Sequence, residues 1–188
     1  MENSVQITRL TPLDLNWPQR LSERLNENAP VRIWVIGTRE ILSKHKVGLF
    51  CSVRCPGDAI LGAYDAARKL RDDGVTVISG FHSPVEKECL RILLRGCQPV
   101  IICLARAFGR IRIPTDWRRA LDSSRLLILT PFEKWPPRPT VESARQRNEL
   151  VAALADKAFI VHASPGGQIE EISHSIDRWD MTRWKLQD

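Results

Sequence analysis

The sequence predicts an α/β domain of Rossmann-like, three-layer, doubly wound architecture, with a mostly parallel sheet and helices on both faces. Short uncharged runs alternate with helical patterns at the spacing of strand–helix units. The clearest run, residues 75–78 (VTVI), is β-branched and typical of a strand that is buried on both faces. With 188 residues and 43% hydrophobic content, the chain can bury a full core as one domain.

Six strands are predicted from apolar runs that end at glycine, proline or polar turn residues. The runs PVIICL and LLILT have the same character as VTVI, whereas IVH is closed by a serine-proline-glycine-glycine turn. The predicted strands are residues 31–36, 47–53, 75–78, 99–104, 126–130 and 158–162.

Six helices are predicted between and around these strands from apolar spacing and cap residues. In the second helix, Ile60, Tyr64 and Ala67 share one face, and Gly74 ends the segment. The predicted helices are residues 19–25, 58–71, 84–95, 115–121, 141–154 and 168–176. We expect an N-terminal extension over 1–30, the Rossmann domain over 31–177 and a tail over 178–188.

Composition limits the classes of function. No apolar stretch is as long as a membrane span, and the N-terminus lacks a signal peptide, which favours a cytoplasmic protein with no membrane association. The five cysteines form no CxxC pair, so neither a disulfide framework nor a metal site is predicted. The net charge of +6, mostly from arginine, favours a polyanionic partner such as nucleic acid.

The segment 75–86 (VTVISGFHSPVE) passes from a buried strand into a helix start. Ser83 is placed as the N-cap, Pro84 as the first helical residue, and Glu86 completes a capping box. Free N–H groups and the positive end of a helix dipole would meet there, a place suited to phosphate. The alternative is an ordinary βα loop that binds nothing.

Four loops carry residues suited to one anion pocket at the carboxyl ends of the strands, where ligands bind in such sheets. Arginine supplies charge, glycine permits close backbone approach, and serine and asparagine supply hydrogen bonds. The predicted binding residues are Ser52, Arg54, Ser79, Gly80, Phe81, His82, Ser83, Arg145, Arg147, Asn148, Pro165, Gly166 and Gly167.

Three segments resemble the DNA-processing protein A (DprA/Smf) family. VGLFCSVRCPG is similar to its strand and glycine-serine-arginine turn, VTVISGFHSPVEKECL to its serine-glycine segment, and RQRNELVAAL to its arginine-asparagine-arginine segment. The resemblance covers roughly residues 17–177 in colinear order. It implies non-catalytic binding of single-stranded DNA or a nucleotide without a cofactor, a homodimer, and a recombinase partner in DNA uptake or recombination.

By motif match, the resemblance places Ser52, Arg54, Gly80, Arg147 and Asn148 in the pocket. Two departures change its charge and shape. Cys51 stands where the family has the glycine of its turn, and Glu149 replaces the second arginine of RNR.

Two alternatives remain. ADKAFIVHASPGGQIEE resembles the LONELY GUY type phosphoribohydrolases, in which an arginine and a glutamate cleave the N-glycosidic bond of a nucleoside monophosphate; Arg147 and Glu170 or Glu171 would take these roles. The other reading of the two glutamates is a solvated first helical turn that is favoured by the dipole. The second alternative to DNA binding is a nucleotide-sensing module.

Overall fold

The computed structural model describes residues 5–109 and 111–185, so that residues 186–188 of the predicted tail lie outside it. Seven strands form one sheet in the order β1-β2-β6-β5-β4-β3-β7. The strands are β1 (Thr8–Leu10), β2 (Ile33–Gly37), β3 (Lys46–Cys51), β4 (Thr76–Ser79), β5 (Val100–Cys103), β6 (Leu126–Thr130) and β7 (Lys157–His162).

The five strands from β6 to β7 in this order are parallel, which confirms the predicted mostly parallel sheet. β2 is an exception, because it pairs antiparallel with β6, with Val35 opposite Leu129. The short strand β1 was not predicted, and it pairs antiparallel with β2 at that edge. Part of the segment before residue 31 therefore belongs to the sheet.

Six helices connect and cover the strands. They are α1 (Arg20–Leu25), α2 (Gly57–Asp72), α3 (Pro84–Leu94), α4 (Thr115–Asp122), α5 (Val141–Leu154) and α6 (Gln168–Arg178). The predicted capping box of α3 forms: Ser83 Oγ accepts from Glu86 N at 3.2 Å, and Glu86 Oε2 accepts from Ser83 N at 3.1 Å. A second, unpredicted box joins Thr140 and Ser143 at the start of α5.

The helices form two layers, one on each side of the sheet, as predicted. On one face α2, α3 and α4 pack on the sheet through small and aliphatic side chains such as Ala67, Leu93 and Ala120. On the other face α1, α5 and α6 pack through side chains such as Leu21 and Val151. Because β3, β4, β5 and β7 are parallel, their carboxyl ends reach the same edge, and the candidate site lies there.

Two further properties concern ligands and membranes. None of the helices in the described part of the chain combines the length and apolar character needed to cross a bilayer. Over residues 5–109 and 111–185, no group of three or more histidine, cysteine or acidic side chains is arranged to hold a metal ion.

Candidate nucleic-acid interface

Two adjoining cavities open at the carboxyl edge of the parallel strands. We call them the β3 cavity, of about 300 Å³, and the β5 cavity, of about 500 Å³. His82 and Arg147 line both of them and form their common wall. The β3 cavity is also lined by Ser52, Arg54, Ser83, Glu86, Asn148 and Gly167. The β5 cavity is also lined by Phe81, Lys87, Arg91, Arg106, Asp116 and Trp117.

Arg147 is the central side chain of this cleft. It extends from α5 and is only 5% exposed. Its Nε donates to Asn148 Oδ1 at 2.8 Å. Among the described residues, no carboxylate oxygen lies within 4.0 Å of its guanidinium nitrogens. A buried guanidinium without an acidic partner is costly, and an anion entering either cavity would supply the missing counter-charge.

Gly80, directly after β4, permits this placement of Arg147. A Cβ atom built on Gly80 would lie 1.7 Å from Arg147 Nη1 and 2.1 Å from its Cζ. Real Cβ atoms do not approach other atoms so closely, so any larger residue would displace the guanidinium. The glycine is therefore required for a close side-chain approach, not for a special backbone angle.

Asn148 holds the orientation of Arg147 through a chain of side-chain hydrogen bonds. Its Nδ2 donates to Gln168 Oε1 at 3.3 Å, and Gln168 Nε2 donates to the Val141 carbonyl at 3.0 Å. The chain connects α5 to the start of α6. Because the Oδ1 of Asn148 is already an acceptor for Arg147, this residue acts as a positioning residue.

The start of α3 does not offer the free donors that the sequence predicted. The buried Glu86 carboxylate accepts from His82 N at 2.8 Å, from Ser83 N at 3.1 Å and from Cys51 N at 3.0 Å. Phe81 N donates to Ser79 Oγ at 3.2 Å. The N–H groups of Phe81, His82 and Ser83 are thus satisfied internally, and the cationic side chains provide the attraction for an anion in their place.

His82 is electrostatically coupled to this cluster. Burial lowers the pKa of its imidazole, and the positive charges of Arg147 and Lys87 lower it further, while the Glu86 carboxylate opposes them. The neutral imidazole is therefore favoured at neutral pH more than in an exposed histidine. An anion bound beside it would reverse part of that effect.

The comparisons with known proteins give the family. Residues 8–177 match the family model described as DNA recombination-mediator protein A. This chain belongs to that family. DprA from Streptococcus pneumoniae superposes with a TM-score of 0.72 at 18% identity, covering 90% of this chain and 60% of its own. The chain thus spans less than two thirds of that relative's length.

A second DprA, from Helicobacter pylori, superposes with a TM-score of 0.77 at 20% identity, covering 100% of this chain and 84% of its own. The Helicobacter pylori protein has what is described as a unique single-stranded DNA binding mode. At these identities the similarity shows a common fold. No protein in the curated set matches the chain in sequence.

Most of the residues selected from the DprA motifs and the four loops meet at the cleft. Two loop residues from other elements join Arg147 there: Ser52, whose Oγ accepts from Ser164 N at 2.9 Å, and Arg54. Gly80, Phe81, His82, Ser83, Asn148 and Gly167 also line one or both cavities. The DprA-like segments are thus neighbours in space although they are separated in sequence.

Arg145, Ser79, Pro165 and Gly166 do not line either cavity. Arg145 lies on another side of α5 and forms ion pairs with Glu142 at 2.8 Å and with Glu149 at 2.6 Å. Ser79 is fully buried below the loop. Pro165 and Gly166 lie in the turn before α6, outside both linings.

The two glutamates of the hydrolase alternative also lie outside the cavities. Glu170 turns back and accepts from Gly166 N at 2.7 Å, and Glu171 is exposed on α6. The carboxylates that line the cavities are those of Glu86 and Asp116. Glu86 is already bound to three backbone donors.

The β5 cavity contains residues of this DprA-family chain that sequence reasoning did not place there. Lys87 and Arg91 line it from α3, and Trp117 lines it from α4. The spacing of Lys87, Leu90, Arg91 and Leu94 is the i, i+3, i+4, i+7 pattern of one helical face. That signal was present in the sequence and identifies a basic edge on this helix.

Proposed function

We propose that this chain binds single-stranded DNA in the cleft formed by the β3 and β5 cavities, without catalysing a reaction. The observation that carries the proposal is the buried Arg147 guanidinium, which has no carboxylate partner among the described residues. A phosphodiester oxygen accepts strong hydrogen bonds from a guanidinium group, and the exclusion of water from a buried site strengthens them.

The two cavities are lined by different side chains, so we propose that each binds a different part of the nucleotide. In the β3 cavity, Arg54 and Arg147 would neutralise a phosphate, with the Ser52 hydroxyl as an additional donor. In the β5 cavity, the partly exposed Trp117 provides an aromatic face on which a base can stack, and the buried Phe81 ring forms part of the apolar wall. Neighbouring phosphate and base sites suit a nucleic acid strand with unpaired bases.

Family membership and the two DprA structures support the proposal at the level of fold and family. The finer parts of the prediction are a homodimer, hand-over of DNA to a recombinase, and a cytoplasmic location. The homodimer and the hand-over are implied by the resemblance, and the location by the sequence pattern; all three stay predictions.

A direct test is the titration of a fluorescent oligothymidylate at low salt, followed by fluorescence anisotropy. We expect binding that weakens steeply with salt, and an affinity loss of about tenfold or more in Arg147→Ala. Arg145→Ala is the matched control, because it removes an arginine two residues away that is paired with glutamates outside the cleft.

The outcomes separate the possible ligands. Equal affinities of Arg147→Ala and Arg145→Ala would contradict the proposal. If a nucleoside monophosphate competes as well as the oligonucleotide at equal phosphate concentration, the site recognises a nucleotide and the sensing alternative replaces DNA binding.

A further inference from the structure

A third basic cavity lies beside the β5 cavity, between α3 and α4. It has a volume of about 540 Å³ and is lined by Arg91, Leu94, Arg95, Asp116, Arg119 and Arg125. We call these residues the α3–α4 arginine patch. Four of the six are arginines and only one is acidic, so the patch has a net positive charge.

The patch is continuous with the cleft. Arg91, Leu94 and Asp116 line both the patch and the β5 cavity, as His82 and Arg147 line both the β5 and β3 cavities. The three cavities therefore form one path, which starts at the carboxyl edge of the sheet and runs between α3 and α4 toward the amino ends of β5 and β6. Each adjoining pair of cavities shares at least one arginine or histidine. A single nucleotide in one cavity would leave the rest of the path open.

Arg125 provides an independent sign of a missing acceptor. Its Nη2 donates to the Leu94 carbonyl at 2.7 Å, whereas its Nη1 is buried and has no hydrogen-bond partner among the described residues. Buried donors are nearly always satisfied in native proteins, and Arg125 is the residue with an unsatisfied buried atom, among those described, that also lines one of these cavities. A phosphate oxygen bound in the patch would supply the missing acceptor.

The other arginines of the patch are also available to a ligand. Within the described part of the chain, neither Arg95 nor Arg119 lies within 4.0 Å of a carboxylate oxygen; Arg91 pairs with Glu88 at 2.8 Å on the surface. Surface ion pairs of that kind are weak and can exchange for phosphate.

We infer that the α3–α4 arginine patch is a second phosphate-binding site, which extends the path of a polynucleotide beyond the cleft. This inference rests on the proposed function and makes it more specific: the substrate is a strand long enough to reach the patch. Guanidinium groups at several points along the path would each contact a phosphodiester of the same strand. The binding free energy should therefore increase with strand length until the path is filled.

The test compares a thymidine trinucleotide with an oligothymidylate of about fifteen nucleotides. In the Arg95→Ala, Arg119→Ala double variant, we expect unchanged affinity for the trinucleotide and about a tenfold or greater loss for the longer strand. The slope of log K against log salt should also become shallower, by about 0.7 for each phosphate that the variant no longer binds.

The Arg39→Ala, Arg68→Ala double variant is the matched control, since it removes the same charge from arginines that are ion-paired outside the path. The inference is overturned if the patch variant and this control lose the same affinity for the long strand. It is also overturned if the wild-type protein binds the trinucleotide and the long strand equally well. If the wild type binds neither, the proposed function itself fails, which is a distinguishable result.

Discussion

Replacing Gly80 with alanine tests whether the position of one guanidinium controls binding. The added Cβ would lie 1.7 Å from Arg147 Nη1, whereas unbonded atoms need about 3.5 Å, so the guanidinium must move by about 2 Å. Gly80 is not among the residues with positive φ, so alanine fits its backbone. The disturbance therefore falls on the arginine side chain.

The expected loss follows from the hydrogen bond that would be misaligned. A hydrogen bond to a charged group is worth about 1.5–3 kcal/mol, so Gly80→Ala should weaken oligonucleotide binding by about tenfold to a hundredfold. Fluorescence anisotropy at low salt measures this loss, and thermal unfolding shows whether the variant remains folded. The control is Gly62→Ala in α2, where a Cβ meets no atom within 4 Å and binding should not change.

A double-mutant cycle separates this mechanism from a general disturbance of the loop. In an Arg147→Ala background, Gly80→Ala should cost little further affinity, because the guanidinium that it displaces is already gone. If the alanine lowers affinity equally with and without Arg147, its effect does not act through the guanidinium. Full affinity in a folded Gly80→Ala variant would refute the reasoning.

Three further predictions concern pH, stacking and stability. Burial and neighbouring cations lower the pKa of His82, so a bound phosphate should raise that pKa and phosphate binding should take up a proton. Affinity titrations should therefore show binding that tightens as the pH falls toward the pKa of His82. The His82→Asn variant should lack this pH dependence. Trp117→Ala should lose about 1–3 kcal/mol of oligonucleotide binding by anisotropy and Trp117→Phe much less, if a base stacks there. Asp156→Asn should cost about 3 kcal/mol in urea unfolding at pH 7, because it leaves Lys46, only 6% exposed, without its counter-charge. Burial raises the pKa of Asp156, but hydrogen bonds and charges from Arg20 and Lys46 outweigh it, so that the pKa is lowered overall. The difference in unfolding free energy between wild type and variant should therefore disappear as the pH falls below the usual carboxyl range and Asp156 becomes protonated.

Local signals in the sequence were sufficient for most elements of the fold. α5 begins and ends where its pattern predicted, and the capping box at Ser83 and Glu86 forms. Strand direction was harder to predict, because a fully apolar run such as β2 has the same pattern in a parallel and an antiparallel pair. The three residues of β1 are too few to give a period.

The candidate site contains contacts that a sequence pattern predicts and contacts that it does not. The loop position of Arg145 and Arg147 predicts one shared pocket, but residues two apart on a helix are about 200° apart around its axis and face different sides. The ion pairs of Arg145 confirm that geometry. In contrast, the approach of Arg147 to Gly80 joins residues 67 positions apart, and no local pattern contains it.

The capping box also explains why Arg147 can lie in this cleft without an acidic partner among the described residues. Glu86 lies in the same cavity as Arg147, and a direct pair between them would cancel the charge that a phosphate needs. The Glu86 carboxylate instead accepts three backbone N–H groups, which stabilise it at the positive end of the α3 dipole. Asn148 then orients the guanidinium through its hydrogen bond, and the absence of a side chain at Gly80 leaves room for it. Glu86 thus occupies the backbone donors that the sequence predicted for phosphate. Because its carboxylate is already hydrogen-bonded to them, Arg147 stays available for an external anion.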